Sequence, residues 1–108
     1  MRLELNLNKY YDGLDISKVN IIFSAFSELK TRINQLSLLL NYPDDKRTES
    51  WQQSKDFYRK SVFQIAGYIN DRMISFGREE LFDLGNGIED TDFNAVIERY
   101  DYLMSKPE

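Results

Sequence analysis

Cysteine and histidine are both absent from this 108-residue chain, and each absence removes a class of chemistry. Without cysteine there is no disulfide framework, thiol nucleophile, thiolate zinc site or iron–sulfur cluster. Without histidine there is no Ser-His-Asp triad, imidazole base or neutral-pH proton switch. A metal site would have to be built from carboxylates and carbonyls, which restricts it to Mg, Ca or Mn type ions. Long apolar runs are missing too. The strongest is Leu38-Leu39-Leu40, against the roughly 18–20 residues that a membrane span needs. Met1 to Asn8 lacks a basic stretch followed by a continuous apolar one, so no signal peptide is expected and the cytoplasm is the default location.

What is present fits one folded helical domain over residues 1–108. Hydrophobic residues make up 42% and charged residues 30% of the chain, the balance of a domain with its own core. The expected fold class is mainly α: a long antiparallel helical hairpin plus a short C-terminal helix, preceded by one extended, strand-like segment.

That segment is Arg2 to Asn8, where Leu3, Leu5 and Leu7 alternate with polar residues. A period of two is the signature of a strand with one buried face. No partner strand follows in the sequence. The segment is therefore expected to pair with a second copy, to pair with another protein, or to lie extended against the helices.

The hairpin is read from spacing. Val19, Ile22, Phe26, Leu29, Ile33, Leu36 and Leu40 are separated by alternating steps of three and four, a heptad seam. Ile21, Phe23, Leu38 and Leu39 broaden it into the stripe of a bundle helix. Asp15 and Ser17 are both plausible N-caps, and Asn41-Tyr42-Pro43 ends the helix. A second helix is expected to start between Asp44 and Ser50 and run to Phe76, with Gly77 just beyond its end. Its apolar positions are Trp51, Tyr58, Val62, Ile65, Ile69, Met73 and Phe76. A further ridge of Phe57, Phe63, Ala66 and Ile74 gives it more apolar width than one small third helix can cover.

Arg78 to Leu84 reads as a helical turn or a bent continuation, and Gly85-Asn86-Gly87 as a break. Asp90, Thr91 or Asp92 should cap the last helix, with Phe93, Val96 or Ile97, Tyr100, and Leu103 or Met104 facing the core. Tyr100 and Tyr102 are two apart, so one should be buried and the other exposed.

The net charge of −4 is unevenly spread. Residues 78–108 contain three basic and nine acidic residues, whereas the rest of the chain carries a slight positive excess. The acids of this third suggest a face that steers and holds a basic partner. The candidate contacts are Glu79, Glu80, Asp83, Glu89, Asp90, Asp92, Asp101 and Tyr102. The competing reading is helix capping and solubility, with Glu79, Glu80, Asp90 and Asp92 near helix N-termini. A calcium loop starting at Asp83 fails its pattern, because the sixth position is Ile88 and the twelfth is Asn94. Basic residues at Lys46, Arg47, Lys55, Arg59 and Lys60 are interleaved with acids, so no phosphate-binding stripe forms.

Neither catalysis, a cofactor, direct nucleic-acid binding nor membrane insertion is expected. The lead reading is a small inhibitor that acts by protein binding. Its most concrete form is an immunity protein or antitoxin that neutralises a basic toxin such as a nuclease. A phage anti-defence inhibitor is a close variant. The alternative is a homo-oligomeric structural or adaptor protein, a homodimer through the N-terminal strand or helix 45–76.

Overall fold

The computed structural model describes residues 13–105, and three helices carry the fold: α1 (Ile16–Leu40), α2 (Glu49–Ser75) and α3 (Phe93–Met104). Short 3-10 turns lie at Asp44–Lys46 and Ile88–Asp90. No strand occurs among the described residues, and the strand-like segment 2–8 lies outside them.

Each helix starts where a side chain can satisfy an orphan backbone donor. Asp15 accepts from the Lys18 amide, Thr48 from Trp51 and Asp92 from Ala95. The exposed Asp15 carboxylate also accepts the Ser17 hydroxyl at 2.7 Å, and these bonds hold its pKa below the ordinary aspartate value. Residues 44–46 do not belong to α2. They form a separate turn, and the helix begins only at Glu49 behind its threonine cap. At its other end α2 closes on Phe76, after which Gly77 takes φ +80°, a left-handed conformation that disfavours any side chain. The Arg78 amide then reaches back to the Met73 carbonyl at 2.8 Å.

Helices α1 and α2 pack against each other as the expected hairpin. The seam residues from Val19 to Leu36 are buried, and Leu40 packs on the margin of the core. The hairpin tip is held by Trp51, whose indole N–H donates to the Leu39 carbonyl at 2.8 Å. Arg47 caps the same end by donating to the carbonyls of Tyr42 and Leu40 while it lies over the Trp51 ring.

Helix α3 completes the core from one side. Phe93, Val96, Tyr100 and Leu103 are buried, with Ile97 and Met104 at the margin. The Phe26 ring sits between Phe82 and Tyr100, at centroid distances of 6.0 and 6.2 Å. Burial, together with the adjacent Asp101 charge, pushes the Tyr100 phenol above its ordinary pKa.

The second ridge of α2 divides. Ala66 is buried and Phe63 is partly covered, but Phe57 and Ile74 remain about half exposed, at 55% and 52%. Arg32 of α1 lies over the Phe57 ring at 5.9 Å.

Candidate protein-binding face

The path of residues 78–92 decides where the acidic third of the chain points. Neither a helical turn nor a bent continuation forms over Arg78 to Leu84. The chain is extended and bent there, and Leu81 and Phe82 turn inward to 3% and 2% exposure. Non-helical backbone needs partners for its own polar groups, and a single side chain supplies three. Asn70 in α2 is itself buried. Its Oδ1 accepts the amides of Leu81 (2.9 Å) and Phe82 (3.0 Å), and its Nδ2 donates to the Phe82 carbonyl (2.8 Å). The second Leu81 group is met from α3, where Arg99 donates to the Leu81 carbonyl at 2.7 Å. The Thr91 hydroxyl bridges the carbonyls of Leu84 and Gly87 at 2.6 and 2.8 Å, closing the loop before α3.

With Leu81 and Phe82 facing the core, their acidic neighbours are turned to solvent. Glu79, Glu80, Asp83, Glu89, Asp90, Asp92 and Asp101 are all exposed, and so is Tyr102. Glu79 and Glu80 stand at no helix N-terminus, which corrects the capping role that the sequence suggested for them. Among the named acids, Asp92 does cap α3, and Asp83 accepts the Gly85 amide at 3.0 Å.

A cleft of about 370 Å³ lies between the 80–83 segment and α3. Glu80 and Asp83 line one wall, Ala95 and Arg99 the other, and Phe82 and Val96 contribute to the lining. The Arg99 guanidinium, which lines the cleft, sits over the Tyr102 ring at 5.4 Å, and Tyr102 lies on the same flank of α3 as Ala95 and Arg99, beyond the cleft. Asp101 does not. Adjacent helix positions are about 100° apart, and Asp101 therefore projects from a different flank of α3. The structure brings Glu80 and Asp83 to one cleft, with Tyr102 farther along the same flank of α3 and Asp101 on another.

Asn70 and Arg99 are the organising residues that sequence reasoning missed. An asparagine inside a helix looks like surface, and nothing in the spacing marks it as buried. Among the described residues, no group of three or more carboxylates is placed to hold a metal ion. No helix there is long and apolar enough to cross a membrane. Comparison of the chain with family models, curated proteins and solved structures returns no match.

Proposed function

We propose that this protein acts by binding, as a small inhibitor that docks a basic protein on the face formed by residues 79–92 and α3. The observation that carries the reading is the inward turn of Leu81 and Phe82. It fixes backbone to core, and so holds Glu79, Glu80 and Asp83 outward on a braced surface instead of a loose loop. Pre-organised charge speeds encounter, and an aromatic anchor such as Tyr102 slows release. A toxin or nuclease whose own surface is basic is the class of partner that fits, and an immunity protein or antitoxin of the cytoplasm is the corresponding role.

The test is retention of host proteins by the wild-type chain and by E79K/E80K/D83K. A reversal at the hairpin tip, D44K/D45K, serves as the control. A basic toxin or nuclease held by the wild type and the control, released by salt, and lost with the triple variant supports the reading. Retention of such a protein by the triple variant with unchanged salt dependence refutes it, as does the absence of any basic protein.

A further inference from the structure

Between the 78–84 segment and α3 the chain passes through Gly85-Asn86-Gly87. Asn86 is exposed, and its side chain makes no hydrogen bond among the described residues. The Gly87 amide, the next donor along the chain, bonds to no acceptor there either. A carboxamide and the backbone nitrogen that follows it are thus both uncommitted, side by side, at the surface. We propose that Asn86 is a site of spontaneous modification, at which the folded protein converts the carboxamide through a cyclic imide to isoaspartate and aspartate.

The reaction needs no reagent but water. The Gly87 nitrogen attacks Cγ of Asn86, the Cγ–Nδ2 bond breaks, and ammonia leaves with the proton that the Gly87 amide gives up. Water then opens the imide. Cleavage at Cγ yields aspartate, and cleavage at the backbone carbonyl yields isoaspartate, whose chain runs on through Cγ. Either product adds one negative charge between Asp83 and Glu89, and isoaspartate also lengthens the backbone by a methylene.

Three features set Asn86 apart from the other asparagines among the described residues. Ring closure requires an amide nitrogen that is not held in a hydrogen bond. The amides after Asn20, Asn34 and Asn70 lie inside α1 and α2, where each bonds four residues back. The amide after Asn41 donates to the Leu39 carbonyl, and that after Asn94 to the Asp92 carboxylate. The side chain must also be able to fold onto its own backbone. Asn41 is engaged with the Ser37 carbonyl, and Asn70 with Leu81 and Phe82. Lastly, the attacking nitrogen must approach without obstruction, and a glycine places no Cβ beside it. The turn is anchored on either side of these atoms. The Gly85 amide donates to Asp83, and the Gly87 carbonyl accepts from the Asp90 amide and the Thr91 hydroxyl. The reacting pair is the part of the turn that the fold does not hold.

The test follows the folded chain at neutral pH by peptide mapping and mass spectrometry, with a free peptide of residues 82–90 incubated alongside. The fragment carrying residue 86 should gain about 1 Da, divided between isoaspartate and aspartate, while those carrying Asn20, Asn34, Asn41, Asn70 and Asn94 stay unchanged. A reaction that needs no local opening runs in the folded protein as it does in the peptide, so the two rates should agree within about threefold. The N86Q variant keeps a carboxamide but must close a larger, slower-forming ring, and it should show no gain at residue 86 over the same period with helix content unchanged. Conversion in the folded chain slower than that threefold margin overturns the proposal, because the turn then has to open first. Earlier conversion at any of the other asparagines named, or an equal gain in N86Q, overturns it as well.

Discussion

Replacing Asn70 tests how the acidic face is held. Its side chain makes three hydrogen bonds to the backbone of Leu81 and Phe82, all in a buried setting. Leaving a buried backbone donor or acceptor unpaired costs about 1–3 kcal/mol, so three such groups set an upper bound of roughly 9 kcal/mol. The 78–84 segment can shift outward and admit water, which returns part of that cost at the expense of Leu81 and Phe82 burial. A loss of about 3 kcal/mol is expected for N70A. That is a large share of the ~5–15 kcal/mol available to a domain of this size. At roughly 4–8 °C per kcal/mol it lowers Tm by about 12–24 °C.

N70L separates the hydrogen bonds from the cavity, since leucine restores most of the volume and none of the bonds. It should be destabilised comparably. N34A, at an exposed position of α1, should stay within about 0.5 kcal/mol of wild type. Urea denaturation followed by helical circular dichroism measures all three. The reasoning fails if N70L is as stable as wild type, or if N70A costs no more than N34A.

Two further outcomes follow from the core. F26A removes a ring with 1% exposure that touches both Phe82 and Tyr100, and should cost about 3–5 kcal/mol in the same denaturation experiment. Tyr100 has a raised pKa in the folded state because burial disfavours its phenolate and Asp101 adds like charge. Its contribution to stability is therefore complete below the ordinary tyrosine value of about 10 and is lost as pH rises through the higher folded value. Alkaline titration at the tyrosinate absorption band should show a late-ionising component that Y100F removes.

The hairpin was legible because its signals are local. A seam of alternating three- and four-residue steps, from Val19 to Leu36, requires only helix periodicity to be read as a core face. Asp15, Gly77 and Asp92 mark helix ends by the chemistry of orphan backbone groups. The division of labour between Tyr100 and Tyr102 follows from helix geometry alone, and the structure buries the first and exposes the second. The 78–84 segment was not legible in the same way. Its conformation is set by Asn70, eleven and twelve residues earlier, and by Arg99, eighteen residues later than Leu81. The candidate face was therefore legible as a composition but not as a surface. Exposure of its acids could be expected from their charge, whereas the cleft that sets Glu80 and Asp83 opposite Arg99 depends on a path that spacing does not encode.

Among the described residues, hydrogen bonds that tie one element to another span short stretches of chain: twelve residues at the hairpin tip, eleven and twelve at Asn70, eighteen at Arg99. The ring contacts of Phe26 with Phe82 and Tyr100 are different, because they close loops of more than fifty residues. Closing a long loop carries a larger entropy cost than zipping a hairpin. The hairpin and the 70–82 clamp can thus form early, with α3 docking onto Phe26 as the late, long-range event. Opening in the native state should run in the reverse order, α3 first. Since α3 carries one wall of the acidic cleft, a partner gripping both walls would also slow the first step of unfolding.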